Sequence, residues 1–294
     1  MTAHIRPVDH IITAHRQSEG GGFIVRRPLP VAGLEMVDPF LLIDELGPID
    51  YAPGQAVGAP DHPHRGFETV SYILKGETEH ADSAGHRGSL GAGDVQWMTA
   101  GAGIVHAEMP SRRMQEVGGR MHGFQVWVNL PARLKMTAPR YQDVPAAQIP
   151  QATTPDGKAH VRVVAGEALG VRAVIATHTP IICQDWALQP DGEAIIAVPA
   201  NHNAVVYVFE GSLQVGEPGQ VVREGQMAIL GAGDTVRLRG GPDENGRALL
   251  LAGQPHNEPM TRYGPFVMNT QQEIVQAFRD YQTGRMGAIA PKRD

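Results

Sequence analysis

Two short segments each occur twice in the chain, and this repetition constrains the fold more than any other feature. Tyr72-Ile73-Leu74-Lys75-Gly76 is matched by Tyr207-Val208-Phe209-Glu210-Gly211. Leu90-Gly91-Ala92-Gly93-Asp94 recurs letter for letter as Leu230-Gly231-Ala232-Gly233-Asp234. Because the two matches come in the same order and at nearly the same offset, they predict a duplicated domain.

The composition and the local patterns predict that each copy is built from short strands. The chain has 35 Gly and 23 Pro scattered without a period, which indicates many turns. Residues 70–74 and 204–209 are rich in β-branched and aromatic side chains. Residues 124–129 alternate, so that Gln125 and Trp127 share one face. We therefore expect an all-β protein of two tandem jelly-roll barrels with a short C-terminal helix.

The domain boundaries follow from the positions of these patterns. A Pro-, Gln- and Ala-rich stretch with little periodicity separates the copies. We expect an N-terminal domain over residues 1–143, a linker over 144–156 and a C-terminal domain over 157–294. A helix is predicted over about 270–283, with Asn269 as its N-cap and Gln272 in the reciprocal position.

The net charge and the cysteine content exclude several classes of protein. The formal net charge is −6 and no long Lys/Arg run occurs, which argues against direct nucleic-acid binding. The single cysteine, Cys183, is expected to be a small buried side chain. Residues 1–7 lack the apolar core of a signal peptide, and no segment is apolar over a membrane-spanning length. We expect a cytoplasmic protein, acting as a monomer and without membrane contact.

Two pairs of potential metal ligands stand out. His62-Pro63-His64 and His106-Ala107-Glu108 each place two donors at positions i and i+2, on the same face of an extended segment. Imidazole and carboxylate donors suit Fe, Mn, Ni, Cu or Zn. We therefore predict one metal ion held by His62, His64, His106 and Glu108. The spacing alone leaves Glu68 open as a substitute for Glu108.

These motifs resemble those of the pirin family of bicupins, which are proteins with two cupin barrels. The resemblance is specific from about residue 20 to 143 and weak in the C-terminal half. It implies a single iron, most readily Fe(II), in the N-terminal cupin, bound by His62, His64, His106 and Glu108. Thr99 replaces the Pro of the general cupin motif, as is normal for pirins. The similarity rests mainly on residues 62–70, 80–83, 93–101 and 103–108.

The second copy lacks these ligands when the repeats are aligned. With Tyr72 aligned on Tyr207, Ala197 and Pro199 stand where His62 and His64 would be. With Asp94 aligned on Asp234, Gly246 and Ala248 stand where His106 and Glu108 would be. We therefore expect a degenerate C-terminal cupin without metal.

The resemblance implies two functions. The first is a quercetin 2,3-dioxygenase, in which a flavonol-like aromatic substrate binds the metal, Glu108 takes its hydroxyl proton and reaction with O₂ releases CO. Gln125 is the candidate pocket residue, although its strand position equally allows it to face solvent. The alternative is a metal- and redox-dependent regulator that binds a protein partner, such as a transcription factor or a metabolic enzyme.

Overall fold

The computed structural model of the protein describes residues 4–19 and 21–291. Residues 1–3, which contribute to the argument against a signal peptide, lie outside this range. The described chain is mostly β-strand, as expected, and divides into two compact units. We call them the first barrel (residues 16–27, 40–146 and 256–291) and the second barrel (residues 4–15, 28–39 and 147–255). Within the described residues no helix is both long and apolar enough to cross a membrane.

The first barrel contains a seven-stranded and a four-stranded antiparallel sheet. The larger sheet has the order β12-β9-β6-β11-β4-β3-β2, and the smaller has the order β5-β10-β7-β8. Its strands and first helix are β2 (His15–Glu19), β3 (Phe23–Leu29), β4 (Phe40–Tyr51), β5 (Ala59–His64), β6 (Phe67–Lys75), β7 (Thr78–Asp82), β8 (Arg87–Leu90), β9 (Val95–Thr99), β10 (Ile104–Pro110), α1 (Arg112–Val117), β11 (Gly119–Asn129) and β12 (Arg140–Val144).

The second barrel repeats this plan. Its larger sheet has the order β1-β22-β19-β24-β17-β14-β13, and its smaller sheet has the order β18-β23-β20-β21. Its strands are β1 (Val8–Thr13), β13 (Gln151–Thr153), β14 (Ala159–Ala165), β15 (Glu167–Ala168), β16 (Val171–Arg172), β17 (Ile181–Leu188), β18 (Glu193–Ala197), β19 (Asn203–Glu210), β20 (Ser212–Val215), β21 (Gln220–Arg223), β22 (Gln226–Leu230), β23 (Thr235–Gly240) and β24 (Gly246–Gly253).

The two sheet orders match strand for strand, so the predicted duplication is present in the topology. Tyr72 and Tyr207 lie on β6 and β19, which occupy equivalent places in the two larger sheets. The second sequence match is different. Residues 90–94 connect β8 to β9, whereas residues 230–234 connect β22 to β23, the equivalents of β9 and β10. The same Gly-Asp turn chemistry therefore serves two turns that are not equivalent.

This difference corrects the alignment of the ligands. Gly246 and Ala248, expected at the places of His106 and Glu108, lie on β24, the equivalent of β11. The strand equivalent to β10 is β23, and it pairs with β18 as β10 pairs with β5. These two strands turn apolar side chains into the core of the second barrel, where they pack around the buried Trp186. These apolar side chains are Ala194, Ile196, Val236 and Leu238.

The compact units also divide the chain differently from the expected domain boundaries. Residues 4–15 and 28–39 belong to the second barrel, and residues 256–291 belong to the first. Strand β1 pairs with β22, filling the sheet edge that β12 fills in the first barrel. The stretch expected as a linker, residues 144–156, contains β13, which pairs with β14. Each barrel therefore includes chain from the opposite end of the sequence.

The last elements are the hairpin β25 (Thr261–Tyr263) and β26 (Phe266–Met268) and the helix α2 (Gln271–Gln282). The helix is where the periodicity predicted it, but its N-cap is Thr270 rather than Asn269. Thr270 Oγ1 accepts a hydrogen bond from the Glu273 backbone N–H, and the Glu273 carboxylate accepts one from Thr270 N–H. The Asn269 side-chain amide instead donates to the Pro259 carbonyl at 2.8 Å.

Candidate metal site

The pairing of β5 with β10 brings the histidines together. In this antiparallel pair His62 lies opposite His106, and His64 lies opposite Ile104. Because His62 and His64 are two residues apart on one strand, their side chains share a face. Strand β5 is at the edge of its sheet, where Pro63 costs no ladder hydrogen bond.

The three imidazoles are close enough to bind one metal ion. The Nε2 atoms of His62 and His64 are 3.0 Å apart, and one ring nitrogen of each histidine lies within 4.8 Å of the others. Two nitrogens bound to one metal at a right angle, each with a bond of about 2.1 Å, are separated by about 3.0 Å. The observed spacing of His62 and His64 is thus that of two adjacent ligands.

The hydrogen bonds of these rings also fit the binding of a metal ion. His62 Nδ1 donates to the Pro60 carbonyl at 2.7 Å, and in the tautomer that donates from Nδ1 the lone pair needed for metal binding is on Nε2, which faces His64 Nε2. Within the described part of the chain, neither ring nitrogen of the buried His106 has a hydrogen-bond partner. Buried polar atoms without a partner are costly, and a bound metal would give one of these two nitrogens a partner. The three histidines therefore fit a metal ion.

Aromatic rings hold His64 in place. Its ring centroid lies 5.1 Å from that of Phe67 and 5.2 Å from that of Trp127. The Arg262 guanidinium lies 4.7 Å from the Trp127 ring centroid. This packing restricts the rotation of the buried His64 ring.

Glu108 follows His106 by two residues, but in this structure its carboxylate forms hydrogen bonds with residues outside the histidine cluster. Its carboxylate accepts hydrogen bonds from Ser71 Oγ at 2.8 Å and from Gln125 Nε2 at 2.9 Å. The register of β10 against β5 shifts between His106 and Glu108, because Glu108 lies opposite Ala59. Such a bulge re-aims side chains. Ser71 and Gln125 face each other on β6 and β11, so Glu108 reaches across the barrel interior.

Glu68 lies on the opposite face of β6 from Ser71. Alternation along the strand places Ser71 with Phe67 and Thr69, and Glu68 with Val70 and Tyr72. The Glu68 carboxyl accepts a hydrogen bond from Thr99 Oγ1 at 2.7 Å, and burial raises its pKa. Like Glu108, Glu68 is outside the group of three side chains whose ligand atoms converge, which is formed by the histidines alone.

Burial and charge set the protonation of the site. Burial lowers the pKa of His106 to about 4 and that of His64 well below its ordinary value. Burial alone would raise the pKa of Glu108, but the charges of His106 and His62 and the hydrogen bonds from Gln125 and Ser71 lower it overall. At neutral pH His64 and His106 are therefore neutral and Glu108 is ionised, the forms that bind metal.

These shifts predict that the metal-free protein loses stability as the pH falls from about 6.5 to about 4. In this range the unfolded chain binds a proton at His106 and the folded chain does not, so acid favours unfolding. Urea denaturation of the metal-free protein at pH 7 and pH 5 measures the effect. The His106→Asn variant should show a smaller difference between the two pH values. An equal difference in both proteins would contradict the attribution of the acid destabilisation to His106.

A cavity opens beside Glu108. Ser71, Glu108 and Gln125 form its polar wall, and the rest of its lining is mainly apolar. Gln125 thus faces the barrel interior and not solvent. The apolar part of the lining includes Phe23, Ile49, Tyr51, Ile73, Met114 and Met121.

Sequence reasoning missed Ser71 and the role of Trp127. Ser71 is a polar side chain within the apolar run of residues 70–74, and the alternation of β6 places it on the inner face. Trp127 shares the inner face of β11 with Gln125. Both positions could be identified from alternation, but their contacts to Glu108 and His64 depend on strand pairing.

Comparison with known proteins agrees with this fold. The family model described as Pirin matches residues 22–128, and the model described as Pirin C-terminal cupin domain matches residues 183–287. A pirin-like protein of Solanum lycopersicum is 43% identical over 277 residues, covering 94% of this chain and 91% of that protein. Pirin of Homo sapiens is 40% identical over 279 residues, covering 94% and 92%.

A solved structure is similar over nearly the whole chain. The crystal structure of quercetin 2,3-dioxygenase from Acinetobacter baumannii has a TM-score of 0.89 and 37% sequence identity. The match covers 97% of this chain and 99% of that one.

The two barrels and the histidine cluster define a bicupin with a candidate metal site in its first barrel. The chain belongs to the pirin family. The likeness extends through the C-terminal half, where the sequence motifs indicate only a weak match.

Proposed function

We propose that this protein is a quercetin 2,3-dioxygenase-type enzyme with one non-haem metal ion, for which Fe(II) is our first choice. The observation that carries the proposal is the position of Glu108, which follows His106 of the three-histidine cluster by two residues and lines a mainly apolar cavity. The 37% identical A. baumannii structure bears the same enzyme name and supports this choice.

In the proposed site His62, His64 and His106 hold the metal, and Glu108 is the fourth ligand. Ser71 and Gln125 each donate to one oxygen of its carboxylate and would orient it in this role. The bound metal supplies a redox centre at which an electron-rich phenol and O₂ react. Three histidines and one carboxylate would supply four ligands, fewer than the six that such an ion can take, so substrate and O₂ could also bind.

The protein residues bind the substrate and move its proton. The apolar cavity wall receives the aromatic rings of a flavonol. Glu108, ionised at neutral pH, accepts the proton of the substrate hydroxyl. Gln125 and Ser71 donate hydrogen bonds to Glu108 and fix the direction from which it receives that proton.

The reaction balances without a further reductant. Both atoms of O₂ enter the opened ring product, and one substrate carbon leaves as CO with its oxygen. The carbon–carbon bonds to that carbon break, the substrate is oxidised and O₂ is reduced.

The test is turnover of quercetin by protein loaded anaerobically with Fe(II). We expect loss of flavonol absorbance, uptake of O₂ and release of CO in equal amounts when O₂ is admitted. His64→Ala should abolish all three. Protein that holds stoichiometric iron but turns over no flavonol would overturn the enzymatic proposal and favour the regulatory alternative.

A further inference from the structure

The C-terminal segment (residues 256–291) contacts the chain directly after His64. The Arg65 N–H donates to the Pro265 carbonyl at 3.4 Å, and the Val267 N–H donates to the Arg65 carbonyl at 3.1 Å. Gly66 has a φ of +89°, and a Cβ there would lie 1.9 Å from the Val267 carbonyl oxygen. Only glycine permits this approach.

Lys135 strengthens the same junction. Its buried Nζ donates to the carbonyls of Gly66 at 2.8 Å and Val267 at 2.9 Å, and to Asn129 Oδ1 at 2.7 Å. One ammonium group thus joins the residues after β5 to the C-terminal segment.

The C-terminal segment also contacts the chain directly before His106. Val105 packs in a buried apolar cluster whose other buried members all come from the C-terminal segment. Ser83 Oγ accepts from the Val105 N–H at 3.1 Å and donates to the Met286 carbonyl at 2.6 Å. The cluster members from the segment are Phe266, Met268, Ile274, Ala277 and Met286.

The ion pair of Arg65 with Asp280 connects helix α2 both to the chain after His64 and to the turn before β10. Arg65 Nη1 donates to Asp280 Oδ2 at 2.9 Å, and Arg65 Nε donates to the Ala102 carbonyl at 2.7 Å. Ala102 lies in the turn that leads into β10, and Arg65 follows His64. The pair is largely buried, with side-chain exposures of 6% and 11%. The other Asp280 oxygen accepts from Gln276 and from the exposed Arg285.

We propose that Arg65 and Asp280 are positioning residues for the metal site, through which the C-terminal segment fixes the separation of His64 and His106. The inference rests on the proposed metal binding. Ligands held in place before binding lose less conformational freedom when the metal binds, which raises affinity. Residues that support metal ligands typically change affinity by about 10–100-fold when replaced.

The test compares Asp280→Asn and Arg65→Lys with the control Arg285→Ala, which removes only the exposed partner of Asp280. Ni²⁺ affinity is measured by competition with a chelating dye, and thermal unfolding of the metal-free proteins reports folding. Hydrogen exchange of the metal-free proteins reports the mobility of residues 62–66 and 103–106.

We expect Asp280→Asn and Arg65→Lys to weaken Ni²⁺ binding about 10–100-fold and to speed exchange at both segments, and Arg285→Ala to change affinity less than about threefold. If Asp280→Asn does not fold, Arg65→Lys decides the question. Wild-type affinity in a folded Arg65→Lys or Asp280→Asn protein would overturn the positioning role. Absence of Ni²⁺ binding by the wild-type protein would overturn the metal site itself and, with it, this inference.

Discussion

Replacing His64 with alanine is expected to remove stoichiometric metal binding. The change deletes one of three converging imidazoles, whose Nε2 lies 3.0 Å from that of His62. The remaining two nitrogens cannot close the site, and we expect affinity to fall by more than the roughly 10–100-fold found for residues outside the ligand shell. Metal per chain, measured after anaerobic loading with Fe(II) and desalting, reports the loss.

The matched control is His160→Ala. His160 belongs to the second barrel, where its ring contacts Thr153 and Gln151, far along the chain from the cluster. The control should retain one metal ion per chain. A full complement of metal in the His64→Ala protein would show that the three-histidine site is wrong.

Glu108→Gln is expected to reduce flavonol turnover by about 10²–10⁴-fold, the usual contribution of a positioned general base. The amide keeps the shape of the side chain but cannot take the substrate proton. Turnover is measured at saturating Fe(II), because the loss of a ligand also weakens metal binding. Glu108→Ala, which removes the ligand altogether, should hold less than one metal ion per chain.

Glu68→Gln is the control for this change and tests the alternative ligand. Burial raises the Glu68 pKa, and its carboxyl is bound to Thr99 on the face of β6 away from Ser71. Glutamine keeps the size of the side chain and an oxygen that can accept from Thr99, so metal content and turnover should stay within a fewfold of wild type. Loss of metal in Glu68→Gln together with full metal in Glu108→Ala would make Glu68 the ligand.

Local periodicity predicted which side chains of the site share a face of one strand, but not which contacts form between strands. The i, i+2 spacing of His62 and His64 is a property of one strand, so the sequence alone indicates that their rings share a face. The direction of Glu108 depends on a bulge and on Ser71 and Gln125, which are on other strands. No local pattern reports such contacts.

The fold class was predictable for the same reason, whereas the boundaries were not. Short strands and turns can be recognised from local residue patterns. The match of Tyr72 with Tyr207 identified equivalent strands. The Gly-Asp match misled the alignment because one turn chemistry suits many turns. The pairing of β1 with β22 joins residues more than 200 positions apart, and only tertiary structure reveals it.

The assignment of residues 256–291 to the first barrel has a consequence for biosynthesis. Domains generally fold as they leave the ribosome, the N-terminal one first. Here the barrel that carries His62, His64 and His106 cannot be finished until residues 256–291 have been translated. A prematurely terminated polypeptide would display the histidines without their C-terminal support.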